Sequence, residues 1–138
     1  SIWDWVTFSP LTLSVYEQTL TPFSATGGQF TKIPYTTEAF DTNGEFDVGT
    51  STFTAATAGD YLVCASLASG NTGFGDEIDI YKNGTRGKGI HYFRSGTPGC
   101  RVERLAAHDQ LQVFYYDPAT TSVPNDAPWT YLDIAKLR

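Results

Sequence analysis

The chain has 138 residues, with 9 Lys plus Arg against 15 Asp plus Glu and a formal net charge of −6, which is enough length for one domain with a single core and too little for two. Its 41% hydrophobic and 14% aromatic residues bury enough apolar surface to offset the entropy of ordering, which excludes intrinsic disorder. The acidity argues against phosphate backbones or acidic membranes as its main partners, and no apolar run approaches the roughly 18 residues of a spanning helix.

Taken in chain order, the first residues carry Trp3, Trp5 and Phe8 at two- and three-residue spacing, a pattern that suggests packing against something. Short runs rich in Val, Ile, Thr and aromatics then follow at 45–53, 61–67, 78–82, 110–116 and 129–137. They are separated by Gly, Pro, Asn and Asp, so each reads as a β-strand and the whole as a sandwich, jelly roll or barrel. Asn43-Gly44 and Asn83-Gly84 supply the positive φ of tight turns and are expected to be hairpin tips. Residues 68–75 read as a flexible connection, and Gly87 to Gly99 as a glycine-rich loop with His91, Tyr92, Phe93 and Arg94 in its middle. The prolines at 118, 124 and 128 exclude a central strand there, because proline has no amide proton to donate, and they predict a long exposed loop.

The run Leu111-Gln112-Val113-Phe114-Tyr115-Tyr116 places Leu111, Val113 and Tyr115 on one face and Phe114 and Tyr116 on the other. Either a second subunit covers the outer face or its aromatics stay partly solvated. Cys64 and Cys100 lack a Cys-x-x-Cys spacing and are too few for a structural zinc, which leaves a disulfide or two buried thiols. Charge is uneven: residues 1–80 sum to −9 and residues 81–138 to +3. The basic residues around Lys82, Arg86, Lys88, Arg94, Arg101 and Arg104 read either as solvated loops facing the acidic half of the chain or as an anion-binding patch. Starting at Ser1 with no Met, the sequence is read as a processed product or a domain excised from a longer chain.

From Tyr35 to Tyr61 the residues resemble the signature of the complement C1q globular head, a jelly roll akin to the tumour necrosis factor ligands. Asp41, Phe46, Phe53 and Gly59-Asp60-Tyr61 fall at its spacing. Ile78-Asp79-Ile80-Tyr81-Lys82-Asn83-Gly84 resembles that family's strand and hairpin, Leu105 to Val113 its step into a core strand, and Thr130 to Leu137 the closing strand of bacterial and phage members. Tyr35 stands in place of the opening Phe, Val63 and Ala65 replace aromatics, and His108 occupies a position usually Gly. The likeness spans residues 30–138; residues 1–29 match poorly and read as added strands or the end of a preceding shaft. The resemblance implies an all-β, ten-stranded jelly-roll sandwich in a compact homotrimer, with binding loops at one end. Together with the two-faced strand it points to Phe114, Tyr116 and Tyr131 as trimer interface.

Chemistry is sparse. The two histidines, His91 and His108, show no nucleophile in a usable spacing, and His108-Asp109 reads as a turn. Asp76, Glu77 and Asp79 are of the ligand type calcium takes, and some relatives of this fold hold calcium near the trimer top, but the Ile78 and Ile80 alternation puts Asp79 on an outward face as a solvated charge, so no cofactor is expected. Aromatics in loops are the better lead: Tyr92, Phe93 and Arg94 between glycines, and Trp129 after the proline-bounded loop, have the chemistry to stack on a sugar ring or a protein epitope. The expectation is a non-enzymatic trimeric recognition head at the tip of a phage fibre or bacterial surface filament. It would stand on a virion surface or outside the cell and bind a host-cell glycan or surface protein. A trimerising cap or capsid decoration without an external ligand is the alternative, and a secreted carbohydrate-binding or carbohydrate-active sandwich ranks third.

Overall fold

The computed structural model describes residues 12–16, 23–68, 75–92, 98–119, 121–123 and 129–138. Thirteen strand segments occur among them and no helix: β1 (Thr12–Tyr16), β2 (Phe23–Ala25), β3 (Gln29–Lys32), β4 (Thr37–Asp41), β5 (Phe46–Asp47), β6 (Thr52–Thr54), β7 (Gly59–Ser66), β8 (Glu77–Lys82), β9 (Thr85–Tyr92), β10 (Gly99–Leu105), β11 (Gln110–Asp117), β12 (Thr121–Val123) and β13 (Tyr131–Lys136). They form a five-stranded sheet in the order β10-β7-β13-β1-β4 and a six-stranded sheet in the order β5-β6-β11-β8-β9, to which β3 adds beside β11. A two-stranded ribbon of β12 and β2 completes the set. This is a C1q- and TNF-like jelly-roll sandwich. The segment read as an extension supplies β1, which runs between β13 and β4.

Strand alternation fills the space between the sheets. Leu13, Val15, Tyr61, Val63, Leu132 and Ile134 face inward from one sheet, and Phe53, Ile78, Ile80, Leu111, Val113 and Tyr115 from the other, all at most 2% exposed. At 1–2 kcal/mol or more for each buried large side chain, this layer is the main favourable contribution to stability.

Several sequence expectations change, and the stretch read as a long exposed proline-bounded loop contains β12, with Val123 buried. The run 45–53 is not one strand: β5 and β6 are a short antiparallel pair joined through a turn. There the Asp47 carboxylate accepts the Gly49 amide at 2.8 Å and Ser51 adopts φ 49°, a side-chain-closed turn that competes with extension. The glycine-rich stretch is not all loop, since β9 continues to Tyr92. Gly87 lies so close to β8 that a Cβ there would sit 2.9 Å from the Ile80 carbonyl oxygen; glycine here permits tight pairing of an irregular edge strand. Of the two Asn-Gly pairs, Asn83-Gly84 closes the β8–β9 hairpin with positive φ at both residues. Asn43-Gly44 instead carries the chain from the five-stranded to the six-stranded sheet, with the Asp41 carboxylate accepting the Phe46 amide on the far side. His108 has φ 73°, the conformation for which Gly is the easier residue.

All the long connections leave from one end of the sandwich. There β7, β9 and β11 finish and β8, β10 and β13 begin. The opposite end carries the short turns at 42–45, 83–84 and 106–109 and the last residues, 137 and 138.

Tyr35 stands at the position where the resembling signature opens with Phe. It is fully buried, edge-on to Phe46 with ring centroids 6.3 Å apart, and its hydroxyl has no hydrogen-bond partner among the described residues. Burial, reinforced by the negative charge of Asp133, pushes the phenol far above its ordinary pKa, so the group stays a neutral, unsatisfied hydroxyl that costs stability. Tyr35→Phe is expected to raise unfolding stability by about 1 kcal/mol, read as a higher denaturant midpoint at unchanged slope. An equal or lower midpoint would show that the hydroxyl is satisfied.

Candidate functional site

The outer face of the six-stranded sheet collects the large side chains that leave β11 on its far side. Register sets Phe114 opposite Asp79 and Tyr116 opposite Glu77 and Phe30. The Tyr81 and Phe114 rings stack at 3.9 Å, Phe30 lies 5.0 Å from Tyr116 and 6.0 Å from Tyr81, and the Arg86 guanidinium caps Phe30 at 4.4 Å. These cross-strand contacts leave each ring only partly exposed. The two-faced pattern of β11 therefore needs no second subunit to explain it: the outer aromatics cover one another.

The same cation decides the fate of the acidic segment. Asp76 turns inward, 2% exposed, with its carboxylate 3.4 Å from the Tyr115 hydroxyl, while Glu77 and Asp79 face outward. Arg86 donates to both outward carboxylates, through Nε to Asp79 and through Nη2 to Glu77 at 2.6 Å. Asp79 is 2% exposed, so the expectation of a solvated charge on this strand is corrected. The three acids named as calcium candidates do not converge, and among the described residues no group of three metal-ligating side chains forms.

The outer face of the five-stranded sheet is different. One row runs Cys100, Cys64, Asp133, Ser14, Phe40, and the next runs Val102, Leu62, Ala135. Phe40 and Val102 are 53% and 52% exposed, two of the four exposed large hydrophobics among the described residues. A groove of about 350 Å³ lies between Phe40 and Leu62 and includes Cys64 and Asp133; one buried Asp133 carboxylate oxygen has no hydrogen-bond partner among the described residues. Cys64 and Cys100 are joined by a disulfide on this face. Because they are opposite residues of β7 and β10, the bridge fastens two strands already paired rather than tethering a loop. Tyr131 points to this face, whereas Phe114 and Tyr116 lie on the outer face of the other sheet, so the structure does not bring the three residues named as interface together.

Trp129, 58% exposed, stands just before β13 at the end of the sandwich that carries the long connections. Tyr92 ends β9 at that same end, opposite Glu77; its side chain, with Phe93 and Arg94, lies outside the described residues. His108 serves its turn, its amide donating to the Ala55 carbonyl at 2.7 Å, and Asp109 accepts from the Ala106 amide and Asn83.

The basic run is mostly paired. Lys82 meets Asp109 at 3.3 Å, and Asp60 accepts from both Arg104 and Arg138. Hydrogen bonds from these two guanidiniums, Arg104 first, hold the Asp60 carboxyl down to about 2. Sequence reasoning missed Asp60 as a hub because its partners lie 44 and 78 residues away; only the β7–β10 register could have revealed the first.

No family profile and no curated protein sequence matches this chain. Solved structures do. Murine APRIL at pH 8.5 aligns with a TM-score of 0.69 and 14% identity over 94% of this chain and all of that one. The Eiger TNF from S. frugiperda aligns at 0.73 and 11% over 94% of each. The globular domain of zebrafish complement 1qA aligns at 0.62 and 16% over 91% of this chain and 94% of that one. At these identities the likeness is one of fold.

Two outcomes test the electrostatics. Arg86→Ala leaves Asp79 buried without its cation and should lower the thermal midpoint more than the double variant Arg86→Ala with Asp79→Ala does; a double-variant loss equal to the sum of the Arg86→Ala and Asp79→Ala losses would show that the pair is not coupled. Asp60 has a folded pKa below its ordinary 3.8, so its contribution is present above about pH 4 and lost as pH falls towards 2. Between pH 5 and 2 the wild type should therefore lose more of its midpoint than Asp60→Asn, and parallel curves would contradict this.

Proposed function

We propose that this chain is a non-enzymatic recognition head that assembles as a homotrimer through the outer face of its five-stranded sheet and binds its target with the long connections at one end. The observation that carries the reading is the contrast between the two outer faces. One is covered by its own aromatics and Arg86, and the other leaves Phe40 and Val102 exposed, Phe40 beside a groove that half-buried Leu62 also lines, an apolar surface of the kind that association removes from water. The fold shared with APRIL, Eiger TNF and the complement 1qA globular domain supports a trimer with a protein or other ligand as partner. The assembly face is thus assigned to the sheet that contains Tyr131, not to Phe114 and Tyr116.

Recognition is assigned to the end where Tyr92 and Trp129 stand. Trp129 is a wide, largely exposed ring two residues before β13, an amphipathic surface suited to stacking on a sugar or a peptide. The placement we favour is the tip of a phage fibre or bacterial surface filament, outside the cell or on a virion, with a host-cell glycan or surface protein as target. The closing resemblance of 130–137 to bacterial and phage members supports this setting.

Light scattering should give a mass three times that of the 15.1 kDa chain. Phe40→Ser with Val102→Ser should weaken association at least tenfold while the isolated subunit keeps its fold. Tyr92→Ala with Trp129→Ala should leave mass and melting unchanged and abolish attachment to host cells or arrayed glycans. A monomeric wild type would reject the assembly face, and unaltered attachment would reject the recognition end.

A further inference from the structure

At the end of the sandwich opposite the long connections, three elements meet. β7 has just begun at Asp60, β10 is about to finish at Arg104, and the chain has left β13 for Arg138. Register fixes Asp60 directly across from Arg104, and the backbone locks the third member. The Asp60 amide donates to the Arg138 carbonyl and the Leu137 amide to the Asp60 carbonyl, both at 2.7 Å. Gly59 makes this possible, since a Cβ there would collide with the Arg138 carbonyl.

The hydrogen-bond count at this cluster leaves cations in excess. Arg104 donates through Nε at 2.8 Å and Nη2 at 3.3 Å, and Arg138 through Nε at 3.0 Å, all to the single Asp60 carboxylate. One negative charge therefore orients two guanidiniums, and the remaining terminal nitrogens have no partner among the described residues. Both arginine side chains are 80% exposed against 13% for Asp60, and they border an open groove of about 410 Å³. Lys136 adds a third cation close by, its Nζ 2.6 Å from the Thr57 hydroxyl. Guanidiniums oriented by a partly buried acceptor, with further N–H groups turned to solvent, are placed to grip an oxyanion by paired hydrogen bonds.

We propose that Arg104 and Arg138, oriented by Asp60, form a binding site for one oxyanion, a carboxylate or sulfate group carried by an otherwise uncharged ligand. A polyanion is disfavoured because the chain as a whole carries −6 and repels extended negative charge, whereas a single group responds to the local field. The site lies at the opposite end from the recognition loops and does not rest on the function assigned to them.

The test is titration of the assembled protein at low ionic strength with inorganic sulfate, inorganic phosphate and glucuronate, followed by backbone amide shifts. Saturable shifts confined to residues 58–60, 104–105 and 137–138, weakening with added chloride, are expected. A glucuronate preference assigns the site to carboxylates, and a sulfate or phosphate preference assigns it to tetrahedral anions. Arg104→Gln with Arg138→Gln should weaken binding at least tenfold, and Lys88→Gln, an exposed cation on β9, should leave it unchanged. Should the double variant fold poorly, Arg138→Gln alone, at a residue outside the strands, should still weaken binding several-fold. Absence of saturation with all three anions, or equal weakening by Lys88→Gln, would overturn the proposal.

Discussion

The strand β11 carries load on every side, and the rest of the molecule is arranged around that. Its inward Leu111, Val113 and Tyr115 are at most 1% exposed, its outward Phe114 and Tyr116 are packed under neighbouring rings, and both of its edges are paired. β8 takes one edge, while β6 and β3 divide the other, the first at Gln110–Leu111 and the second from Phe114 to Asp117. A one-residue slip would exchange the inward and outward sets, placing Gln112 and Phe114 in the core and Tyr115 outside. Because that exchange is costly on both faces, β11 fixes the register of three other strands at once.

This two-sided demand explains why the outer faces of the two sheets diverge. On the six-stranded sheet the bulky residues of β11 call for cover, and β8 and β3 supply it with Tyr81 and Phe30. Arg86 then closes the array while neutralising Asp79 and Glu77. On the five-stranded sheet the outward residues of β7 and β13 beside Phe40 are smaller, Leu62, Cys64, Asp133 and Ala135, and among the described residues nothing covers Phe40 and Val102, which stay 53% and 52% exposed. These exposed apolar side chains are what the proposed assembly would remove from water.

Much of the fold was legible because its signals are local. The alternation in 61–67 and 110–116 gave β7 and β11 to within two residues, and Asn83-Gly84 gave a hairpin whose positive φ angles follow from residue type. The break inside 45–53 was hidden because the residues between Phe46 and Phe53 include Val48, Thr50 and Thr52, β-branched types that also suit a strand, while the turn is held by the Asp47 side chain. β9 was hidden for the opposite reason: its glycines read as loop when they serve close strand approach. The candidate surfaces were the least legible. Whether Phe114 lies open or covered depends on Phe30 and Tyr81, far away in sequence, and the partners of Asp60 are set by sheet order, which no periodicity reveals.

The distribution of charge then has a structural meaning beyond net acidity. Among the described residues three cations of residues 81–138 face acids of residues 1–80, at defined places: Arg86 spans Glu77 and Asp79 across the β8–β9 hairpin, and Arg104 and Arg138 meet Asp60 beside the β7–β10 edge. The two arrangements differ in stoichiometry. Two carboxylates share one guanidinium on the aromatic face, where the surplus is negative, while two guanidiniums share one carboxylate at the end of the five-stranded sheet, where it is positive. The proposed assembly uses the face of the five-stranded sheet and neither end of the sandwich. Both ends of the sandwich then stay at the periphery, with Trp129 at one and the arginine pair at the other. A molecule built this way has two chemically unlike tips, one aromatic and one cationic, separated by the full length of β7.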